Sequence, residues 1–384
     1  SWTQQQKLTA ADGAAGDSFG LSVSLSGAVA LVGSRGDDNS RGVNAGSAYF
    51  FGRSGTTWVQ QQKLTAADGA SGDFFGTNVS VSGVVAEGGA GWEDGGGADS
   101  GSAEVCARGG SRWVQQQKLT AADGAAGDLY GAAVSVNGDL ALVGAAYDDD
   151  RGLNSGSAYV YSRSGTSWSA QIKLTAPDGA AWDHFGYSVS VSGDTALVGA
   201  FGDEDRGADS GSAYVYARGG TAWTQQGKLT ANDGAPWDLF GRSVSLSGDM
   251  ALLGAGWDDD KGSFSGSAYL FSRSGSTWRQ EEKLAAPDGA AGDYFGIAVS
   301  VSGDVALVGA FKDDDKGAES GSAHFFELCG GAELSQQDRI TPADGAAGDY
   351  SGHAGAMRGD LATVGARDDD ARGTDAGAAE PVPR

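Results

Sequence analysis

Aspartate is the residue with the most capacity for chemistry in this sequence, and its placement is regular. Three consecutive aspartates stand at Asp148–Asp150, Asp258–Asp260, Asp313–Asp315 and Asp368–Asp370, and Asp203-Glu204-Asp205 fills the same slot. Carboxylates at this density suit a hard cation, above all Ca²⁺, which takes six to eight oxygen ligands. The expected metal ligands are Asp148, Asp150, Asp203, Asp205, Asp258, Asp260, Asp313 and Asp315, and Asp233 and Asp238 could converge with Asp258 and Asp260 within one unit. A competing reading is ordinary turn chemistry, in which an Asp side chain accepts hydrogen bonds from nearby backbone N–H groups. Three consecutive aspartates cannot all face one ion without an unusual backbone, which favours turns.

Tryptophan is the second candidate. Trp2, Trp58, Trp113, Trp168, Trp223 and Trp278 recur at one place in a repeating pattern, where packing is the expected role because aromatics carry much of a core's burial. Trp92, Trp182, Trp237 and Trp257 break the pattern and lie in the acid-rich loops. A ring beside carboxylates can hold a sugar by stacking and hydrogen bonding, so Trp182, Trp237 and Trp257 are the candidate ligand contacts. Catalysis finds no support. His184, His324 and His353 match no repeated position, and no nucleophile–base–acid set, phosphate loop or His-metal spacing appears. Arg35-Gly36-Asp37 and Arg358-Gly359-Asp360 spell an integrin ligand tripeptide, but chance accounts for both in a chain this rich in the three residues. The sequon Asn78-Val79-Ser80 falls inside a strand-like run.

These residues are positioned by one unit, cleanest from Asp183 to Arg218. A Phe-Gly pair opens it, followed by an alternating run, a turn, an apolar run, the acidic loop, a Ser-Gly-Ser step and an aromatic run. The glycine of the pair recurs at Gly20, Gly76, Gly131, Gly186, Gly241, Gly296 and Gly352, a period of 55 or 56 residues. Each period holds four strand-like runs. In the third copy these are Ala133–Val136, Leu140–Ala145, Ser157–Tyr161 and Trp168–Leu174, the first two joined by the hairpin signal Asn137-Gly138-Asp139. Helical spacing is absent.

Seven copies of four antiparallel strands predict an all-β fold, a single seven-bladed β-propeller over residues 1–384. The segment SWTQQQKLTA at residues 1–10 matches a fourth run, and the last copy lacks one. The N-terminal strand is therefore expected to complete the last blade and remove an open edge; a segment of a longer open array is the alternative. Two copies are degraded. Glu87 stands where Leu142 and Leu197 stand elsewhere, Ser351 replaces the phenylalanine, and Pro381 falls at the place of Val215. Proline cannot donate to a ladder, so the last third strand should be short or distorted.

Phe185-Gly186 with Gly199-Ala200, Phe240-Gly241 with Gly254-Ala255, and Phe295-Gly296 with Gly309-Ala310 resemble the FG-GAP repeat, the unit of the integrin α-chain propeller. The resemblance spans essentially the whole chain. It implies a seven-bladed propeller, extracellular or on the cell surface, serving adhesion or ligand binding, with fungal and bacterial relatives that include lectins. Integrin-type blades often carry a calcium loop between their first and second strands. Here that connection is the tight turn Ser192-Gly193-Asp194, so those ligands do not carry over.

Strand order puts the second-to-third and fourth-to-first connections on one face, which should gather most of the 50 acidic residues. The net charge of −24 makes nucleic acid and anionic membranes poor partners, because both carry the same sign. No run approaches the length of a membrane helix. Cys106 and Cys329 fall in non-adjacent copies, too far apart to bridge. The expected function is a non-enzymatic extracellular binding or adhesion module with a protein or glycan ligand, Ca²⁺ at the acidic loop face being its candidate cation. Its alternatives are a carbohydrate-binding lectin and an assembly module. Because the chain starts inside a repeat, it reads as part of a longer one.

Overall fold

The computed structural model describes residues 1–329 and 333–384. Six sheets of four antiparallel strands and a seventh of three form the blades of a β-propeller, each with strands in sequential order. The fourth blade shows why. Its first strand, Ser188–Ser192, alternates serine with valine and is half-buried. The second, Thr195–Ala200, is apolar on both sides and wholly buried, because neighbouring blades cover both its faces. The third, Ser212–Gly219, is buried over five residues, and the fourth, Ala222–Leu229, is largely exposed. The turn between the first two strands puts Gly193 at φ +55° and Asp194 outside positive φ, as a type II′ hairpin requires.

The core lies between blades. Phe185 is fully buried and sits in one cluster with Leu142 and Val160 of the preceding blade and Val198 and Tyr214 of its own. Its N–H donates to Ser155 O of the preceding blade at 3.0 Å. Gly186 follows at φ +94°, where a Cβ would lie 2.1 Å from Ser157 O. A Cβ on Gly144, the glycine of the preceding blade's Gly-Ala, would lie 1.9 Å from Gly186 O. The two recurring glycines are thus the points where adjacent blades touch backbone to backbone, and only glycine fits.

Serines and glutamines complete the joints. Val191 N donates to Ser135 Oγ, Leu246 N to Ser190 Oγ and Val301 N to Ser245 Oγ, each at 3.0 Å, linking first strands around the axis. On the outside, Gln62 takes both backbone groups of Trp113, and Gln117 takes those of Trp168. The recurring tryptophans pack as expected. Trp113 stacks on Phe50 at 4.2 Å and Trp2 on Phe325 at 4.4 Å, so these rings are closed to a ligand.

The first and last blades pack together, with Leu8, Phe19, Leu361 and Ala379 in one cluster. Thr3, Gln5 and Leu8 donate to the carbonyls of Pro383, Pro381 and Ala379. The last third strand is Ala378–Pro383. Its prolines do not distort it, and it keeps an unbroken register with Leu361–Ala366. The reason is orientation. The carbonyl of Pro381 faces Gln5, so the N–H that proline lacks would also have pointed outward, away from Leu361–Ala366.

Candidate functional site

Both long connections lie on one face, where they bond to each other, as Trp182 N to Leu153 O and Gly202 N to Asp183 O show. The aspartates there divide into distinct tasks. Asp183 and Asp238, at the end of the fourth-to-first loops, each accept from the N–H three residues earlier at 2.7 Å. Asp238 therefore does not join Asp258, contrary to the expected convergence; it caps Ala235. Burial raises both carboxyls to about 6 despite these backbone bonds.

In the runs that begin at Asp148, Asp203 and Asp258, the first aspartate is buried and bonds a tyrosine; in the sixth blade Asp313 accepts from Ser322 Oγ instead, and in the last run Asp369 is the buried one. Tyr159 Oη donates to Asp148 at 3.2 Å, Tyr214 Oη to Asp203 at 2.9 Å and Tyr269 Oη to Asp258 at 3.0 Å. The second caps the loop, as Asp149 does for Asn154 N and Asp259 for Phe264 N, both at 2.7 Å. The third turns inward. It joins the first aspartate and one from the incoming loop in the triads Asp123/Asp148/Asp150, Asp178/Asp203/Asp205 and Asp233/Asp258/Asp260, whose oxygens are close enough to hold a metal ion.

A lysine of the fourth strand fills each triad. Lys173 Nζ lies 2.7, 2.8 and 2.6 Å from Asp123, Asp148 and Asp150. Lys228 lies 2.9, 2.8 and 2.6 Å from Asp178, Asp203 and Asp205, and Lys283 meets Asp233, Asp258 and Asp260 at 2.8, 2.8 and 2.5 Å. Lys63 and Lys118 repeat the contact in the first two blades, Lys7 in the last, and Arg339 with Asp313 and Asp315 in the sixth. Burial is the largest single effect and disfavours the charge on Asp123, Asp178 and Asp233, yet the hydrogen bonds from lysine, tyrosine and backbone, with the lysine's charge, together outweigh it and hold all three below the usual range. The same lysine bonds override burial and raise the lysines above theirs. In this structure the cation among the predicted metal ligands is the chain's own ammonium. The lysine escaped the sequence reading because it lies 25 and 50 residues from its partners, although a fixed basic residue in seven fourth strands was the available signal.

The tryptophan candidates separate. Trp182 and Trp237 are 52% and 55% exposed, on successive fourth-to-first loops. Both have positive φ, +75° and +74°. The other five copies place Gly16, Gly72, Gly127, Gly292 and Gly348 there, at φ +84° to +91°. Trp257 is half-buried and packs edge-on against Phe264 at 5.3 Å. Arg35-Gly36-Asp37 is not a free tripeptide, since Asp37 is buried against Tyr49 and Lys63. Cys106 is buried and free, and the Cys329 side chain lies outside the described residues.

A further region was not legible in advance. The first strands of all seven blades enclose an axial cavity of about 590 Å³. At its mouth the copies differ most, after the Phe-Gly and Gly-Ala glycines, placing Arg35, Trp92, Tyr147, Tyr187, Arg242 and Arg367.

The FG-GAP repeat family model matches residues 2–51, 58–105, 113–161, 168–216, 223–271, 278–326 and 334–379. Each matched unit after the first begins on a fourth strand and ends in the third strand of the next blade, so one sequence repeat staples two blades. No curated protein matches the chain.

Proposed function

The chain belongs to the FG-GAP repeat family, and on that footing we propose that it is a non-enzymatic extracellular binding or adhesion module whose loop face takes a protein or glycan ligand. One observation carries the reading: Trp182 and Trp237 hold strained backbone positions that the other copies give to glycine, and present their rings to solvent. A non-glycine residue at positive φ costs about 1 kcal/mol or more, and exposed indole adds nothing to the core. Strain retained at two adjacent loops without a folding benefit is the mark of a contact surface. Leu153 is 52% exposed and its carbonyl accepts from Trp182 N, which extends the apolar patch.

The distribution of charge supports a role without Ca²⁺. The triads could hold a cation, but each is already neutralised in part by a lysine or arginine bonded to two or three carboxylates. A divalent ion would have to displace it. Among the described residues no helix is long and apolar enough to cross a membrane.

The test is capture on an array of immobilised glycans, followed by wild type against Trp182→Gly with Trp237→Gly. Retention by the wild type and loss by the variant, with and without chelator, is the expected result. Retention unchanged by both substitutions would remove the tryptophans from the reading, and retention abolished by chelator alone would restore Ca²⁺.

A further inference from the structure

We infer that the mouth of the axial channel is a second, separate site that binds a small carboxylate-bearing ligand of acidic-saccharide type. Three arginines from three blades, Arg35, Arg242 and Arg367, line the one cavity. In a chain of net charge −24, the fourth-strand lysines on this face lie against carboxylates. Arg35 and Arg242 make no ion pair among the described residues. Each instead lies over aromatic rings: Arg35 over Phe74 at 5.3 Å and Trp92 at 6.0 Å, Arg242 over Tyr187 at 5.5 Å and Phe201 at 5.9 Å. Arg367 sits 5.0 Å over Tyr350, with Asp368 at 3.3 Å and His353 Nε2 at 3.1 Å.

Arg35 and Arg242 face aromatic rings and not carboxylates, which leaves their N–H groups to a ligand, and a guanidinium takes a carboxylate through two parallel hydrogen bonds. The ring contacts also restrict the side chain, so less freedom is lost on binding. The half-buried rings of Trp92, Tyr147 and Tyr187 supply apolar faces beside these cations. A ligand must therefore combine anionic groups with a flat C–H face, as a uronic acid does, and a cavity of about 590 Å³ is of the size that encloses a small molecule. The field is felt inside. Burial and the charges of Arg367, Arg242 and Arg35 bring the His353 imidazole down to about 3, the neutral form standing where an anion would relieve the three cations.

The experiment is calorimetric titration of the whole chain with digalacturonate and a glucuronate-containing disaccharide, against the neutral galactose disaccharide of matched linkage. Saturable binding of at least one acidic probe is expected. It should weaken at least tenfold in Arg35→Gln with Arg242→Gln, fall with added salt, and exceed binding of the neutral probe at least tenfold. His353, observed by NMR as one of three histidines, should titrate at higher pH in the double variant and in the complex. No saturable binding of either acidic probe, equal affinity for the neutral probe, or affinity indifferent to the arginines overturns the inference. Because Trp182 and Trp237 lie outside the cavity lining, their glycine variant should bind the acidic probe as wild type does; loss of capture there with acidic binding intact separates the two sites.

Discussion

The aspartate triads and the axial mouth solve opposite electrostatic problems. Around Lys173, Lys228 and Lys283, excess negative charge is met by a cation the fold supplies, and the arrangement repeats from blade to blade. At the mouth, positive charge is gathered from three blades, and Arg35 and Arg242 form no close ion pair among the described residues, Arg35 reaching Asp368 only through its field. A group repeated in every copy and fully partnered is doing structural work. A group found in single copies, and left unpartnered, is available to something outside the chain.

The strongest way to break this contrast is to remove a lysine. Lys228→Met should destabilise by about 2–4 kcal/mol, since losing one partner of a buried ion pair leaves carboxylates uncompensated, read as a fall in unfolding midpoint. Wild type should show no specific Ca²⁺ shift, whereas the variant should regain stability with Ca²⁺ beyond that given by matched NaCl. A variant indifferent to Ca²⁺ would show that the triad cannot hold an ion even when vacated. Carboxyls held low contribute stability above pH 3.8 that is lost as pH falls through their folded values, and the raised lysines lose theirs only above pH 10.5. Wild type should thus weaken in acid, while Lys228→Met should recover part of its deficit there.

Two further buried carboxylates sharpen the contrast, because neither Glu87 nor Glu380 forms an ion pair among the described residues, Lys7 acting on Glu380 only at a distance. Glu87 and Glu380 are 1% and 0% exposed, with no hydrogen-bond partner for either pair of oxygens among the described residues. Burial pushes Glu87 far above the usual range and Glu380 to about 8. Glu87→Leu, restoring the residue of other copies, should stabilise by about 2–3 kcal/mol at neutral pH in denaturant unfolding. For Glu380, the protonated form is favoured in the fold, so its stability is full below about 4.5 and lost as pH rises through about 8. Glu380→Gln should therefore gain on wild type progressively across that window, and a gain independent of pH would refute the buried-acid account.

Smaller effects are expected at the ligand surfaces. Trp182→Gly and Trp237→Gly should each stabilise by about 1 kcal/mol by relieving positive φ, while weakening ligand capture. Arg242→Gln should change stability by less than about 0.5 kcal/mol, since an exposed or stacked surface cation contributes little.

Much of the fold was legible because the signals are local and repeated. The expected run Leu140–Ala145 is the observed strand, and Ala133–Val136 and Trp168–Leu174 differ from theirs by one residue. The site was legible only in part. Trp182 and Trp237 stood out as departures from the period, yet their positive φ was visible only once the loop backbone was known. The aspartates were found, but not the partner each would choose.

Sequence alone determined the number of blades, the strand pattern, the recurrence of the glycines and the gathering of acid on one face, since each follows from residue type at a fixed spacing. Tertiary structure alone decided that a lysine 50 residues from Asp178 fills its triad, and that Arg35, Arg242 and Arg367 meet at one mouth. The physical reason is the ring: a propeller brings together positions one, four and six repeats apart, and periodicity along a chain carries no record of which unlike residues share its axis.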